Sequence, residues 1–313
     1  MIPRILIASD NSDTRSKGLA ARLERRGAMV ATVPLAAIAF DTGSPSGLSI
    51  PGFDGTLPDA VLVRSIAAGS FEAVTRRLGV LHAFGKLSIP VWNSAQAIER
   101  CVDKSMTTFL LNNAGLPTPP TFVVEGRAMA EAVAERELPF TPLVLKPLFG
   151  AQGRGIRLIE KLSDLPAEDE VDSVYYLQHY VPRPGPPFRD FRVFVCAGEV
   201  LAMMSRRGDD WITNVNRGAV PELVSGHGEP ELAALARAAT AAIGADFAGV
   251  DIVPAADGKL FVLEVNSMPA WSGLQSVVAV NIADAIADAL LKFLADRTQA
   301  ATRPYRLTAP ANS

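Results

Sequence analysis

The fold is decided in the last third of the chain by two strongly apolar segments, GVDIV at 249–253 and LFVLEV at 260–265. The dipeptide Asp257-Gly258 lies between them and is typical of a two-residue hairpin turn. Two apolar runs of strand length around such a turn favour an antiparallel hairpin. We therefore expect these segments to pair and to bury most of their side chains in a core.

Polar side chains interrupt this hairpin at three positions. With a two-residue turn, Asp251 lies directly opposite Glu264, and Asn266 follows two residues along on the same face. Facing carboxylates repel each other, and a divalent cation would remove the conflict. Three oxygen ligands without histidine or cysteine favour magnesium or manganese over zinc. The alternative is a solvated polar face, which fits poorly with the apolar neighbours.

A second polar cluster lies upstream, where the segment FGAQGRG at 149–155 follows the apolar strand LVL at 143–145. Its glycines allow the backbone to approach an anion closely. The loop is neither a P-loop nor a dinucleotide fingerprint, because no Gly-Lys-Ser/Thr ends it and no helix follows. Lys146 ends the strand, where a buried charge is costly, so we interpret it as facing a phosphate. A tight turn for the loop and a structural carboxylate for Lys146 remain the alternatives.

Amides and cations recur in the segment WITNVNRG at 211–218. Asn214 and Arg217 lie in this loop, and a planar guanidinium suits a transferring phosphoryl group because it meets two oxygens at once. A surface arginine on a turn is the alternative for Arg217. Arg206 and Arg207 either face a substrate or are solvated.

The organisation of the chain is mixed. Its first hundred residues alternate strand and helix patterns, which favours a parallel sheet flanked by helices. Residues 41–55 are dense in glycine, serine and proline and are interpreted as a mobile loop, and residues 95–113 as one helical stretch. Arg64, at the end of a predicted strand, either touches a substrate or is structural. We expect four parts: an N-terminal α/β domain at 1–102, two α+β lobes at 103–181 and 182–297, and a loose tail at 298–313.

Composition narrows the classes of function. The 313 residues are 49% hydrophobic and 20% charged, as in a globular protein. A formal charge of −3 argues against nonspecific nucleic-acid binding. Two cysteines are too few for a disulfide framework and suit a reduced, cytoplasmic protein. No targeting segment is evident, and the apolar region at 277–295 is interpreted as an amphipathic helix and not a membrane span.

Taken in order, these motifs resemble an ATP-grasp carboxylate–amine ligase of the RimK type. The resemblance covers residues 60–295. Within this family, the chain most resembles the branch that glutamylates coenzymes of the tetrahydromethanopterin or F420 type. The resemblance is carried by Lys104, Lys146, the glycine-rich loop, LQHYV at 177–181, DFR at 190–192, Asn214 with Arg217, and EVN at 264–266; the branch is indicated by AGSFE at 68–72, NS at 93–94, AIER at 97–100 and VDK at 102–104.

The resemblance implies an N-terminal α/β domain followed by two α+β lobes that clasp ATP. It also implies two magnesium or manganese ions, a small-molecule carboxylate acceptor and an amine such as L-glutamate, without nucleic acid or membrane, and it leaves a homo-oligomer open. Nucleotide contacts would come from Lys104, Lys146, Gly150, Gln152, Gly153, Gly155, Gln178, His179, Tyr180, Val181, Asp190, Ile212, Thr213 and Asn214; metal ligands would be Asp251, Glu264 and Asn266; catalytic groups would be Arg217 and Lys146; substrate contacts would be Arg64, Arg206 and Arg207.

The implied reaction converts a carboxylate and ATP into an acyl phosphate, which the amine attacks to form an amide. No side-chain nucleophile is needed, in agreement with the lack of a Ser/His/Asp or Cys/His set. His179 stands where the family usually has glutamate, which leaves the preference between ATP and GTP open. Two alternatives remain: an ATP-grasp ligase acting on a peptide, a protein C-terminus or an amino-acid carrier, and a non-catalytic nucleotide-binding regulatory module, against which the complete metal set counts.

Overall fold

The computed structural model describes residues 2–10, 14–150, 153–224 and 229–302. The first part of the chain contains β1 (Arg4–Ala8), α1 (Thr14–Arg25), β2 (Met29–Val33), β3 (Ala39–Phe40), β4 (Leu48–Ser49), β5 (Ala60–Val63), α2 (Phe71–Lys86), β6 (Val91–Trp92), α3 (Ala95–Val102) and α4 (Lys104–Asn113). The remainder contains β7 (Thr121–Glu125), α5 (Arg127–Glu137), β8 (Leu143–Lys146), β9 (Arg157–Ile159), β10 (Val174–His179), β11 (Phe188–Cys196), β12 (Glu199–Gly208), β13 (Val220–Leu223), α6 (Glu229–Ile243), β14 (Phe247–Pro254), β15 (Leu260–Asn266), α7 (Ser272–Gln275) and α8 (Ile282–Thr302).

The first sheet is parallel, with the strand order β2-β1-β5-β6. Its central strand β5 reads AVLV and is buried at every position, as expected for a parallel strand covered on both faces. Residues 41–55, which were predicted to form a mobile loop, are instead packed against the N-terminal core. They contain β4 and pack Leu48, Ile50 and Phe53 into the core, because these apolar residues alternate with the turn-forming ones.

The other two large sheets are antiparallel. Their strand orders are β7-β10-β8-β9 and β13-β12-β11-β14-β15. The expected combination of α/β and α+β classes is therefore confirmed. Helix α6 covers one face of the five-stranded sheet through Leu232, Ala236 and Ala239, which share a buried cluster with Val193 and Val250. The opposite face carries polar side chains and also Phe194, Met204 and Phe247, which belong to the buried cluster that contains the apolar side of α8.

The hairpin of β14 and β15 has a different turn from the predicted one. Ala255 donates a backbone hydrogen bond to Lys259 at 2.7 Å, so the loop contains three residues instead of two. Gly258 closes this loop with a φ of 86°, which places it in the left-handed region expected at that position of a three-residue hairpin.

A β-bulge restores the predicted register on the strands themselves. The pairing shifts by one residue between Asp251 and Ile252. Asp251 therefore lies opposite Glu264, as predicted, and Asn266 opposite Gly249. The extra residue in the turn and the one-residue shift at the bulge offset each other, so the three polar residues share one face.

The predicted helix at 95–113 is interrupted at Asp103. The side chain of Asp103 accepts hydrogen bonds from the backbone of Ser105 at 2.8 Å and Met106 at 3.3 Å, and it thereby caps α4. A helix start is favoured there because an unpaired first turn needs an acceptor. The interruption places Lys104 at the first position of α4.

Helix α8 joins the N-terminal sheet to the five-stranded sheet. Its apolar side, with Ile282, Ile286 and Leu290, belongs to a buried cluster that also contains Ile7 and Phe194. The helix is amphipathic as predicted, but it begins at Ile282 and continues to Thr302, beyond the predicted start of the tail at 298. Residues 303–313 lie outside the described residues.

The polar side of α8 faces α1. Asp284 and Asp288 accept hydrogen bonds from Arg26 at 2.9 and 2.5 Å. In the described ranges, no helix has both the length and the apolar character needed to cross a membrane.

Asn93 connects the first sheet to the hairpin that carries the polar residues. It is fully buried, and its amide nitrogen donates to the carbonyls of Phe247 at 2.7 Å and Ser267 at 2.6 Å. Its side-chain oxygen accepts from the backbone of Asp246 at 2.6 Å and Phe247 at 3.0 Å. One side chain thus satisfies backbone groups at the start of β14 and just after the end of β15.

We expect Asn93→Ala to lower the free energy of unfolding by about 3 kcal/mol, because each buried backbone group left without a partner costs about 1–3 kcal/mol. Urea denaturation followed by circular dichroism measures this change, with the exposed Asn113→Ala as the matched control. An Asn93→Ala variant as stable as the control would contradict the assignment.

Candidate active site

A cavity of about 550 Å³ lies between the second sheet and the polar face of the five-stranded sheet. This volume is within the usual range for small-molecule sites. It brings together most of the residues singled out from the sequence. The predicted residues that line it are Lys104, Lys146, Gly150, Gly153, Gln178, His179, Tyr180, Val181, Asp190, Arg206, Ile212, Thr213, Asn214, Asp251, Glu264 and Asn266.

Lys146 is the last residue of β8 and is buried in the cavity wall. Its ammonium donates to the side-chain oxygen of Gln178 at 2.7 Å, and the Gln178 amide donates in turn to Thr121 at 2.9 Å. Among the described residues Lys146 forms no ion pair, so its alternative interpretation, a structural carboxylate partner, is not observed. Burial lowers the pKa of Lys146 to about 8, although the negative charge of Glu264 opposes this shift.

Lys104 holds the beginning of the glycine-rich loop. Its ammonium donates to the backbone carbonyls of Leu148 at 3.1 Å and Gly150 at 2.8 Å. Burial lowers the pKa of Lys104 as well, against the attraction of Glu264 and Asp103. The position of Lys104 at the start of α4 therefore brings a second cation to the same side of the cavity.

The glycine-rich loop lies against the segment at 211–218. Gly153 has a φ of 69°, and a Cβ atom there would lie 3.0 Å from Ile212 and 3.5 Å from Arg217. Gly155 has a φ of 71°, and a Cβ atom there would lie 2.7 Å from Pro147. Both positions need glycine for conformation and for space. The predicted contact Gln152 lies outside the described residues.

Charged side chains of alternating sign cross the five-stranded sheet on its cavity face. Arg192 on β11 is paired in register with Asp251 on β14, and its guanidinium donates to both carboxylate oxygens at 2.6 Å. Arg206 on β12 is paired in register with Asp190 on β11, with bonds of 2.7 and 2.6 Å. Arg206 also lies 3.3 Å from Asp251. We call these four residues, together with Glu264, the charge row.

The charge row differs from the prediction that led to a cation site. The sequence predicted that the negative charges of the facing carboxylates Asp251 and Glu264 have no protein partner, whereas Arg192 and Arg206 neutralise the charge of Asp251. Burial by itself would raise the pKa of Asp251, but the two guanidinium groups hold it below its ordinary value, so the carboxylate stays ionised. The sequence could not show this, because the partners come from β11 and β12, about 60 residues upstream at the furthest.

The end of the charge row has the donors that a hard cation requires. Glu264 forms no ion pair with the described residues, and it faces Lys104 and Lys146 across the cavity. Its negative charge acts to raise the pKa of both lysines, against the effect of burial. The side-chain nitrogen of Asn266 is buried without a hydrogen-bond partner. Carboxylate and amide oxygens are ligands that magnesium and manganese prefer. Within the described residues, no group of three His, Cys, Asp or Glu side chains is close enough to hold a metal ion by itself.

The other end of the cavity is aromatic and apolar. Tyr180 and Trp211 both line it and meet edge to face with a centroid distance of 5.7 Å. His179 contributes to the same wall, and its ring nitrogen lies 2.8 Å from a carboxylate oxygen of Glu137. Flat apolar walls of this kind suit the faces of a heteroaromatic ring.

Several predicted residues lie away from the cavity lining. Arg217 pairs with Asp210 at 3.0 Å and is 43% exposed. Arg207 pairs with Glu222 at 2.8 Å on the exposed side of β12, so its alternative as a solvated residue is the observed one.

Arg64 is buried below the cavity wall instead of lining it. Its guanidinium donates to the carbonyl of Pro269 at 3.1 Å and stacks 4.1 Å from the ring centroid of Trp271. Of its two predicted alternatives, the structural one is observed.

Four arginines that line the cavity were missed by sequence reasoning, namely Arg15, Arg154, Arg183 and Arg192. Arg192 is two residues from Asp190 on a strand, so strand periodicity could have placed both on one face. Arg15 lines the cavity from the first turn of α1, and no signal in the sequence connects it with the other lining residues, which begin at Lys104.

Comparison with known proteins agrees with this arrangement. Residues 101–290 match the RimK-like ATP-grasp domain. A tetrahydromethanopterin:alpha-L-glutamate ligase of Methanococcus maripaludis is 35% identical over 236 residues, which cover 71% of this chain and 79% of the relative. A probable alpha-L-glutamate ligase of Haemophilus influenzae is 33% identical over 239 residues, covering 74% of this chain and 76% of the relative.

Solved structures share the fold. The RimK domain ATP-grasp protein of Sphaerobacter thermophilus superposes with a TM-score of 0.68 at 23% identity, covering 92% of this chain and 99% of the other. The ATP-grasp ligase PsnB, solved with its minimal precursor, Mg and ADP, has a TM-score of 0.68 at 20% identity over 93% of this chain and 98% of the other. The expected ATP-grasp fold and the resemblance are confirmed, and the chain belongs to the RimK-like ATP-grasp family of ligases.

Proposed function

We propose that this chain is a cytoplasmic, ATP- and magnesium-dependent ligase that adds L-glutamate to a small-molecule coenzyme acceptor of the tetrahydromethanopterin type. The observation that carries the proposal is the opposition, across one cavity, of two lysines, Lys104 and Lys146, and a row of carboxylates that includes Asp251 and Glu264. Such an opposition suits a polyphosphate with its metal ions, lying between the two sides. The names of the relatives support the choice of glutamate and of the acceptor.

The nucleotide would lie along the cavity from the aromatic end to the charge row. Tyr180 and Trp211 would cover the base, with His179 and Val181 at its edge. Lys104 and Lys146 would contact the phosphates, and the glycine-rich loop would close over them. Placing both lysines and the loop on the same side leaves the opposite side for the metal ligands.

Asp251, Glu264 and Asn266 would hold magnesium, for which manganese can substitute, in the two-ion arrangement that the resemblance implies. Held there, the metal would supply Lewis-acid stabilisation of the charge that develops during phosphoryl transfer. The PsnB complex with Mg and ADP supports this choice. Arg192 and Arg206 keep Asp251 ionised, so no proton has to leave this carboxyl group before it binds a metal.

The chain's own residues then perform positioning and charge stabilisation. An acceptor carboxylate oxygen attacks the terminal phosphorus, ADP leaves, and the glutamate nitrogen attacks the resulting acyl phosphate, releasing phosphate and a proton. Lys146 stabilises charge on the transferring group, and Arg217 would join it by exchanging Asp210 for a phosphoryl oxygen. The glycine-rich loop excludes water, which would otherwise hydrolyse the intermediate.

The test of the function is incubation with ATP, magnesium, L-glutamate and tetrahydromethanopterin, with mass spectrometry of the products. We expect a gain of one glutamyl unit and ADP release that depends on both substrates. Asp251→Asn and Glu264→Gln should abolish turnover and keep the fold, because each removes a negative ligand from a hard-cation site. The surface variant Glu222→Gln is the control, and its turnover should match that of the wild type.

Each other outcome identifies a different function. Glutamylation of a peptide in place of the coenzyme would favour the peptide-ligase alternative, which PsnB with its precursor illustrates. ATP binding without ADP release under any condition would favour a regulatory module. Unchanged magnesium dependence in both carboxylate variants would contradict the metal site.

Lys146 predicts a pH dependence of nucleotide binding. With a pKa of about 8 in the free protein, it is half charged at that pH, and a bound phosphate favours the charged form. Binding of ADP in EDTA should therefore take up about half a proton at pH 8, and affinity should fall as the pH rises further. Calorimetry in buffers of different ionisation enthalpy measures the uptake, and Lys146→Met should lose most of it. Equal uptake in both proteins would refute the assignment.

Arg217→Ala should lower kcat by about a hundred- to a thousandfold, the usual cost of removing one preorganised donor to a transition state. Nucleotide affinity should change much less, because both lysines remain. Arg217→Lys should recover little, since an ammonium lacks the bidentate geometry. Asp210→Asn is the matched control, because it removes the present partner of Arg217 and leaves the guanidinium in place. A kcat for Arg217→Ala within about threefold of wild type at saturating ATP would make it a surface residue.

A further inference from the structure

The second sheet carries a group of polar side chains next to Lys146. Tyr176 on β10 is paired in register with Lys146 on β8, and Gln178, two residues further along β10, is paired with Thr121 on β7. Directly opposed residues point to the same side of a sheet, as do residues two apart on one strand. All four side chains therefore share the face on which Lys146 and Gln178 line the cavity.

A chain of hydrogen bonds joins these side chains to α4. The Lys146 ammonium donates to Gln178 Oε1 at 2.7 Å, and Gln178 Nε2 donates to the hydroxyl oxygens of Thr121 at 2.9 Å and Tyr176 at 3.2 Å. The hydroxyl oxygens of Tyr176 and Thr108 lie 2.7 Å apart. Tyr176 and Gln178 are almost completely buried, so their polar groups depend on protein partners. We call Thr108, Thr121, Tyr176 and Gln178 the amide network.

Thr108 determines the direction of its bond with Tyr176. The Thr108 hydroxyl donates to the backbone carbonyl of Lys104 at 2.9 Å, because a carbonyl oxygen can only accept. A threonine hydroxyl has one proton, so Thr108 must accept from Tyr176. Burial raises the pKa of Tyr176, so the phenol keeps the proton that it donates. The phenol oxygen is then left as an acceptor for the amide of Gln178.

Gln178 is held in one of its two amide orientations for the same reason. Thr121 donates to the carbonyl of Pro119 at 2.8 Å, so its oxygen also acts as an acceptor for the amide. With acceptors at Thr121 and Tyr176, the amide nitrogen must point to them, and Oε1 must point to Lys146. A flipped amide would place its donor NH₂ group against the Lys146 ammonium, which has no acceptor to offer.

We propose that Tyr176 is a positioning residue for nucleotide binding, which holds the Gln178 amide so that the amide directs the Lys146 ammonium towards the phosphates. This inference rests on the proposed function, in which Lys146 contacts those phosphates. Every side chain of the amide network is neutral, so the network orients the ammonium without neutralising it. A carboxylate at the position of the amide would also hold the ammonium, but it would compete with the phosphate for its charge.

The amide network also connects the two lysines of the cavity. It begins at the Lys146 ammonium and ends at the backbone of Lys104, the first residue of α4. The ring of Tyr176 contributes separately, because Lys146 Nζ lies 5.7 Å from its centroid, close enough for the face of the ring to attract a cation. Tyr176→Phe keeps the ring and removes the hydroxyl, so it separates the orientation of the amide from the packing of the ring.

The test is calorimetric binding of ADP and of adenosine to the full chain in the presence of magnesium. Tyr176→Phe should weaken ADP binding by about five- to tenfold, as for one lost hydrogen bond, because the amide no longer holds the ammonium in place. Binding of adenosine, which has no phosphate, should change by less than about twofold. In the Lys146→Met background, Tyr176→Phe should change ADP affinity by less than about twofold, because the ammonium is already absent.

Tyr175→Phe is the matched control. Tyr175 is the adjacent residue on β10 and is also fully buried, but it points to the opposite side of the sheet, where its hydroxyl donates to the carbonyl of Pro166 at 2.9 Å. It should bind ADP as the wild type does. Thr121→Val is a second variant of the amide network, because it removes the other acceptor of Gln178, and it should weaken ADP in the same way. Thermal unfolding of each variant reports on the fold.

Equal ADP affinity in Tyr176→Phe, Thr121→Val and the wild type would overturn the inference alone. An equal loss of ADP and adenosine affinity, or an undiminished effect in the Lys146→Met background, would also overturn it, because a merely structural role gives these results. A wild type that does not bind ADP would overturn it together with the proposed function. The expected binding pattern without any amide product would support the positioning role and contradict the ligase activity.

Discussion

Arg192 and Arg206 hold Asp251 and Asp190 on one face of a five-stranded sheet whose other face is packed by α6. Taking these charges out of water costs several kcal/mol for each ion, and only good geometry with complete pairing repays it. The antiparallel register supplies this geometry, because it places each arginine directly beside its aspartate on the neighbouring strand. If the register of one of these strands shifted by one residue, the charged side chains of that strand would point into the apolar core. The bulge at Asp251 is part of the same constraint, since it aligns Glu264 with the row.

The two sides of the cavity are charged in opposite senses for a physical reason. Lys146 is buried beside the amide of Gln178, which is neutral and does not balance the charge of the ammonium group. Burial therefore disfavours the charged form of Lys146 and lowers its pKa. Glu264 opposes it without an ion pair in the described part of the chain. A polyphosphate placed between them would balance the charge of Lys146, and a divalent cation would balance that of Glu264. The site is therefore arranged for a ligand that carries both signs of charge, as metal-bound ATP does.

The N-terminal sheet takes part in the site through three contacts. Asn93 joins the backbone of both strands of the site hairpin, Arg64 holds the segment that follows it, and Arg15 reaches the cavity. Helix α8 adds a common hydrophobic core between this sheet and the five-stranded one. These contacts hold the segment that follows β15 against the N-terminal sheet.

The sequence by itself determined the hairpin, the shared face of Asp251, Glu264 and Asn266, the parallel character of the first sheet and the family. These features depend on local periodicity, turn residues and the order of motifs, all of which are present along the chain. It was less reliable where short segments carry mixed signals, as in the break of the helix at Asp103 and the packing of Leu48, Ile50 and Phe53.

The tertiary structure alone decided which charges are paired. The pairing of Asp251 with Arg192, and of Arg217 with Asp210, depends on strands and loops that meet only after folding. The energy of a buried charge is set by its neighbours within a few ångströms and not by its neighbours along the chain. For the same reason, nothing along the chain connects Arg15 on α1 with the cavity that it lines.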